Sequence, residues 1–329
     1  MTQENKETLK VLLVKNGETL DISNLVESVE WSGSRSQAPR TLQVSLANTD
    51  RGMHESITVE NGNGLMLLLE EKEYFRGIVF QCDYTPTKLS ITAYDQMIYL
   101  LKNKDSMVFS GKKASDIIKK ICGDFSIPVG TIADTGHTIK NLVFDGDSLF
   151  DMAVDALKKT FAQTGKRYAF FSREGKVHLI PREENVIEWV VESGTNLVNY
   201  SFSASIEETV NKVKLQAGEE QKAITAIADD PASQQKYGVL QHFEKVKDKV
   251  NLAKLTERAL TILKTQGKEK RTFSVDDLTG SPDVVSGTAI FVSVPELQIS
   301  KAYFVEEDRH SFSGQRHSMS LTLVETADM

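Results

Sequence analysis

Residues 89–93 read Leu89-Ser90-Ile91-Thr92-Ala93, and residues 42–46 read Leu42-Gln43-Val44-Ser45-Leu46. In both, apolar and polar side chains alternate with a period of two, as in a strand with one face in a core and the other in water. Between them, the apolar run 65–69 and the stretch 74–84 flank polar residues 70–73, which predicts a hairpin turn. The first hundred residues are therefore expected to form a small antiparallel barrel or sandwich.

The pattern changes after Tyr94. Ile117, Ile118, Ile121, Cys122 and Phe125 recur at helical spacing, and Pro128 bars continuation. Phe150, Ala153, Val154, Leu157 and Phe161 mark one face of a second helix, with Gly165 placed to end it. Residues 168–171 and 177–180 predict a short hairpin about Arg173-Glu174-Gly175-Lys176. Strands return from Trp189, and residues 200–203 and 210–215 precede a polar stretch, 218–238, that reads as a loop. Leu252, Leu255, Ala259, Ile262 and Leu263 give a third amphipathic helix, ended near Gly267, before strands and turns resume over 271–324.

The two ends of the chain echo each other. Trp31 followed by Leu42-Val44-Leu46 compares with Tyr200 followed by Val210, Val213 and Leu215. Gly64, an apolar strand, a turn and Tyr74-Phe75 compare with Gly287, residues 289–294, a turn at Pro295 and Tyr303-Phe304-Val305. Residues 89–93 and 319–323 close the two units. The expected fold class is mainly β with an α+β insert: two similar antiparallel β-barrel domains flanking a middle α+β domain. The boundaries fall at 1–104, 105–192 and 193–329, the last part carrying an inserted loop and helix over about 218–268.

The chain has 329 residues, 39 Lys+Arg against 46 Asp+Glu, a formal charge of −7 and 40% hydrophobic residues. That length suits two or three domains with cores of their own, and the composition is that of a folded globular chain. The acidic balance, without a basic block, argues against nucleic-acid binding. The start, MTQENKETLK, lacks the apolar region of a secretory signal, and no apolar run approaches the roughly 20 residues that span a bilayer. Cys82 and Cys122 stand apart without CxxC spacing, so no disulfide framework is expected.

The sharpest enzymatic signal is Gly146-Asp147-Ser148-Leu149, which spells the nucleophile block of the GDSL esterases. That family takes its histidine from an Asp-x-x-His block near the C-terminal end. Here Asp134 and His137 precede the serine, and Asp308 and His310 have the wrong spacing. Ser148 followed by Asp151 is equally a helix-start signal, a hydroxyl cap with an acidic first turn, and that reading is preferred. His54-Glu55 lacks a second histidine at zincin spacing, and His310 with His317 on a hairpin lacks a third ligand. Asp145 and Asp147 lack the terminal glutamate of a calcium loop, and Ser110-Gly111-Lys112-Lys113 lacks the upstream glycine of a phosphate loop. Glu183-Glu184 and Glu306-Glu307-Asp308 read as solvated acidic runs rather than a carboxylate pair for glycoside cleavage. The locally basic region 245–271 is a solvated helix face or a contact for an acidic partner. No catalytic, cofactor-binding or metal residue is put forward, and no enzyme activity is expected.

Gly77-Ile78-Val79, leading into Leu89-Ser90-Ile91-Thr92-Ala93-Tyr94-Asp95-Gln96 and Tyr99-Leu100, resembles the first barrel of phage tail hub proteins. Gly111, the run from Ala114-Ser115-Asp116 to Cys122, and Ile127-Pro128-Val129-Gly130 resemble that family's first middle helix and its exit. Ser205-Ile206-Glu207-Glu208-Thr209-Val210-Asn211-Lys212-Val213 is similar to the start of its second barrel. Tyr303-Phe304-Val305 through His310-Ser311-Phe312, Gly314 and His317-Ser318-Met319 is similar to its closing hairpin. Nearly the whole chain, from about Val26 to Leu323, resembles the XkdQ-like hub proteins of PBSX-type prophages, within the wider late control gene D group.

The resemblance implies a structural subunit that trimerises at the end of a contractile tail tube and caps the spike below. Two similar barrels per chain would offer a pseudo-six-fold ring to the tube and a three-fold face to the spike. The implied partners are a homotrimer, the tail spike protein, tail tube or tube-initiator proteins and other baseplate proteins, with no nucleic acid and no direct membrane insertion. The implied location is the tail baseplate of a virion or phage-like particle assembled in bacterial cytoplasm. The competing expectations are a tail-associated cell-wall or ester hydrolase using Ser148 and a type VI secretion hub fused to its spike. The end at Met329 without a repetitive β tail favours a separate spike.

Overall fold

The computed structural model describes residues 9–35, 37–47, 57–182, 186–192, 195, 199–218, 223–246, 250–314 and 316–325. Its first part consists of β1 (Leu9–Lys15), β2 (Glu18–Asp21), β3 (Val26–Ser34), β4 (Thr41–Ala47), β5 (Gly64–Leu69), β6 (Lys72–Tyr84) and β7 (Lys88–Tyr94). They pair in the order β3-β4-β7-β6-β5-β1-β2. The alternating residues Leu42, Val44 and Leu46 on β4 and Leu89, Ile91 and Ala93 on β7 are buried, with Leu42 opposite Ala93 and Leu46 opposite Leu89. The expected β5–β6 hairpin turns at Glu70-Glu71, both with positive φ, as a two-residue turn between twisted strands requires.

The middle part holds α1 (Met97–Lys102), β8 (Lys104–Asp105), β9 (Val108–Lys113), α2 (Ala114–Asp124), β10 (Val129–Ile132), β11 (Thr138–Val143), β12 (Asp147–Ser148), α3 (Leu149–Thr164), β13 (Tyr168–Arg173) and β14 (Lys176–Pro181). The helical spacing read from sequence places Ile117, Ile118, Ile121 and Cys122 of α2 in one core with Leu149, Met152 and Ala156 of α3 and with Val177 and Leu179 of β14. Met97 and Leu100 of α1 join the same core, so it begins just after β7.

The last part holds β15 (Val186–Glu192), β16 (Asn199–Ser205), β17 (Lys212–Ala217), β18 (Ile224–Asp229), α4 (Pro231–Tyr237), β19 (Gln241–Val246), α5 (Leu252–Gln266), β20 (Lys270–Thr279), β21 (Ala289–Val294), β22 (Ile299–Ser313) and β23 (Arg316–Val324). Six of these strands pair in the order β16-β20-β23-β22-β21-β15. The first part has the same order, β3-β4-β7-β6-β5-β1. The match extends to single hydrogen bonds. Gly62 N donates to the Val79 carbonyl at 2.8 Å, and Gly287 N donates to the Val305 carbonyl at 2.9 Å. Both glycines are left-handed, with φ of 92° and 90°, a conformation that costs a residue with a Cβ. The β6–β7 ladder slips one residue after Val79, and the β22–β23 ladder slips after Val305.

These registers revise the repeat read from sequence. Gly62, not Gly64, answers to Gly287. Phe273-Ser274-Val275 of β20 answers to Leu42-Gln43-Val44, since Leu42 faces Ala93 as Phe273 faces Leu323. Val213 and Leu215, expected in that role, lie in a separate sheet of order β18-β17-β19, which α5 covers around Ala226, Leu255 and Ala259. The polar stretch 218–238 is not a loop where it is described: it forms β18 and α4. Ile224, Ala226 and Ala228 alternate inward there, and small alanines gave too weak a period to register. One difference separates the halves: β1 runs antiparallel to β5, whereas β15 runs parallel to β21.

The fold is thus mainly β, with a helix-bearing middle part. Among the described residues a single 13-stranded sheet carries both halves. Among the described residues no ladder closes either half into a barrel, because β1 pairs with β2 on its outer side and β16 pairs only with β20.

Candidate assembly interface

The halves are joined through one long strand. Along one edge, residues 299–304 of β22 pair with β21; beyond that point residues 307–312 pair antiparallel with β3. At this joint His310 faces Trp31, Asp308 faces Gly33 and Phe312 faces Val29. Phe312 packs into the core of the first half. Arg35 N donates to the Glu306 carbonyl at 2.8 Å, and Arg35 Nε to Glu306 Oε2 at 2.7 Å.

A buried charge cluster fills the joint. Arg40 Nη1 donates to Asp308 Oδ1 at 2.8 Å, while Nη2 bonds Oδ2. The Arg40 guanidinium lies 4.2 Å from the centre of the Trp31 ring. The Asp308 side chain is fully buried and also accepts from Ser286 N. Burial alone would raise its pKa, but the Arg40 charge and hydrogen bonds hold the carboxyl well below the usual carboxylate range. Gly33 makes this geometry possible, because a Cβ there would sit 2.3 Å from Arg40 Nη1.

His310 Nε2 lies 3.0 Å from the Val284 carbonyl, which can only accept, so Nε2 carries the proton. His310 Nδ1 and His317 Nε2 share a hydrogen bond at 3.0 Å. Burial, reinforced by the neighbouring His310, pushes the His317 imidazole down to about 3. The two histidines meet diagonally across the β22–β23 hairpin, as the sequence suggests, and hold the joint. Among the described residues no group of three His, Cys, Asp or Glu side chains is placed to bind a metal.

The other sequence candidates fall away from one another. Ser148 Oγ accepts from Asp151 N at 3.0 Å and donates to Asp151 Oδ2 at 2.6 Å, the geometry of a helix cap. Asp134 is bound to Lys113, not turned to a histidine. Ser110-Gly111-Lys112-Lys113 lies in β9, paired with β11, and so forms no phosphate loop. Glu306 and Asp308 are both consumed in the joint, and Glu307 accepts from Thr322. His54-Glu55 and Glu183-Glu184 lie outside the described residues. In the basic region, Arg258 pairs with Glu244 at 2.6 Å. A cleft of about 300 Å³ beside the joint is lined by Trp31, Arg40, Asp95 and Phe170. Asp95 lies in it fully buried, with Oδ1 accepting from Met97 N at 2.9 Å, and burial pushes its carboxyl up to about 7.

Arg40 was missed from sequence, although a signal existed. Arg40-Thr41 before β4's core residues recurs as Arg271-Thr272 before those of β20, at matching register.

A family model described as YQBQ-like matches residues 29–324. The chain belongs to the YQBQ-like family. Among its relatives, the YqbQ protein of Bacillus subtilis (strain 168) is 40% identical over 319 residues, covering 96% of this chain and 97% of that one. The phage-like element PBSX protein XkdQ of the same organism is 38% identical over 322 residues, 98% of each. The YQBQ-like chain is therefore XkdQ-like, in agreement with the resemblance read from sequence. Its fold is shared with the 43 kDa tail protein of prophage MuSo2 from Shewanella oneidensis, with a TM-score of 0.71 at 13% identity over 95% of this chain and 98% of that one. It is also shared with the E. coli c3393 protein, a type VI secretion component described as similar to the T4 tail proteins gp27 and gp5. There the TM-score is 0.56 at 10% identity, over 99% of this chain and 76% of that one.

Proposed function

We propose that this YQBQ-like chain is a non-enzymatic baseplate hub subunit of a contractile phage tail or phage-derived particle. In this reading it is a homotrimer joining a six-fold tail tube to a three-fold spike, with the spike, tube or tube-initiator proteins and other baseplate proteins as partners. The carrying observation is the repeated strand order, β3-β4-β7-β6-β5-β1 and β16-β20-β23-β22-β21-β15, with matching hydrogen bonds. A chain holding two like units lets three copies present six, which is what a ring between six-fold and three-fold partners requires. We take the two units as barrel-like domains on either side of the middle α+β domain, completed on assembly.

Light scattering of the protein alone and mixed with the spike protein of its own tail operon tests this reading. A three-chain mass in either condition is expected. A strict monomer in both would sink it.

A further inference from the structure

We infer that the joint between β22 and β3 within one chain is repeated between chains. Residues 81–84 of β6 in one copy pair antiparallel with residues 202–205 of β16 in a second copy. The inference rests on the ring-forming reading above and adds to it the surface, the strand direction and the register.

The argument is one of equivalent positions. β6 stands to β5 and β7 as β22 stands to β21 and β23, with the same one-residue slip after Val79 and Val305. Beyond that slip, β22 has left β21 and takes β3 on the vacated edge. β6 likewise leaves β5 at Ile78, yet among the described residues no strand pairs with the vacated edge of 81–84. β16 is the counterpart of β3, since Trp31 faces Leu42 as Phe202 faces Phe273. β3 lies between β4 and β22, whereas among the described residues β16 ends the sheet with β20 on one side only.

Burial separates the occupied joint from the empty one. At the occupied joint Val29 and Trp31 are 2% exposed and His310 is fully buried. Their counterparts Tyr200, Phe202 and Tyr84 are 37%, 39% and 52% exposed. Two unpaired strand edges carrying exposed aromatics are an aggregation hazard unless something covers them. Each edge here has the form of the partner that the other lacks. The two edges lie on different halves, so the contact is head-to-tail and a single chain cannot satisfy it symmetrically.

The register follows from the occupied joint. Glu307 faces Ser34, Asp308 faces Gly33, Arg309 faces Ser32 and His310 faces Trp31. Carried over, Gln81 faces Ser205, Cys82 faces Ala204, Asp83 faces Ser203 and Tyr84 faces Phe202 in the next copy. Arg35 N bonds the Glu306 carbonyl, so in the alternation of an antiparallel ladder Arg309 and Ser32 form a non-hydrogen-bonded pair, with the closer Cβ atoms. Asp83 and Ser203 inherit that spacing, which a disulfide can bridge.

The test is oxidation of Asp83→Cys/Ser203→Cys in a Cys82→Ala background, leaving the buried Cys122 in place. Disulfide-linked species are expected, ending at three chains if the ring closes. Equimolar Asp83→Cys and Ser203→Cys single variants should cross-link to dimers only when mixed. The shifted pair Asp83→Cys/Ser201→Cys should give at least tenfold less product. A protein that sizes as a trimer but gives no 83–203 bridge, or bridges 83–201 equally, overturns this inference and leaves the hub reading standing. Cross-linking of Asp83→Cys alone overturns the head-to-tail arrangement. A strict monomer without covalent product overturns both.

Discussion

Arg40 and Asp308, 268 positions apart, form a two-pronged ion pair in the joint between the halves. The pair is buried, so its worth depends on both partners being present. Removing one leaves a desolvated charge, at about 3–5 kcal/mol. Arg40→Ala and Asp308→Ala are each expected to cost about that much in urea unfolding, and the double variant far less than their sum. Gly33→Ala should reproduce part of the loss by displacing the guanidinium, and should add little on top of Arg40→Ala.

The same pair sets an acid limit. Asp308 has a folded-state pKa below its unfolded value of 3.8. Its contribution is present above that value and is lost as pH falls through the folded one. Unfolding midpoints should drop below about pH 4, and Asp308→Asn should show a shallower drop from its lower starting point.

Two other titratable groups, a half-buried histidine and a buried carboxyl, pull against each other near neutrality. His317 is held neutral, down to about 3 against 6.5 unfolded, so the unfolded chain binds more protons between these values and stability rises with pH. Asp95 is held protonated, up to about 7 against 3.8, so the folded chain binds more protons and stability falls as pH rises. Each effect is limited to one proton, about 1.4 kcal/mol per pH unit. Between pH 4.5 and 6, Asp95→Asn should make stability rise more steeply with pH than in the wild type. His317→Gln should make it rise less or fall. Urea titrations at three pH values read both, and unchanged slopes would refute the assignments.

Ser148→Ala separates a cap from a nucleophile. Loss of the bond from Asp151 N should cost about 1 kcal/mol of stability. Ester and peptidoglycan cleavage should stay at the same background in both proteins. A loss of turnover in the variant would revive the hydrolase.

Periodicity made the strands of the first half and the helices α2, α3 and α5 legible, but the inward faces of the last two less so. Leu149, Met152 and Ala156 fill the core where Phe150, Val154 and Phe161 were expected, and Leu252 is exposed. It failed at β18, where the inward residues Ala226 and Ala228 are too small to contrast with their neighbours. The repeat was visible in order but misaligned, since a sequence shows turns and strands but not which backbone groups bond. Gly62 and Gly287 are equivalent only through their bonds to Val79 and Val305. The joint was the least legible part. Trp31, Arg40, Asp308 and His310 are scattered along the chain, and only the pairing of β22 with β3 brings them together.

The small sheet bearing α5 joins the large sheet at a single base, and α5 also lies beside α3. Ser205 at the end of β16 lies opposite Lys270 at the start of β20, and just beyond them Val210 N bonds the Gln266 carbonyl. In the first half, residues 35–40 bridge the corresponding strands. The excursion 206–269 therefore leaves and re-enters the framework through neighbouring points, so shortening or exchanging it alters loop-closure entropy only slowly with length. It has the form of a cassette: a region that related particles could replace wholesale, to suit a different neighbour, without disturbing the strands that carry it.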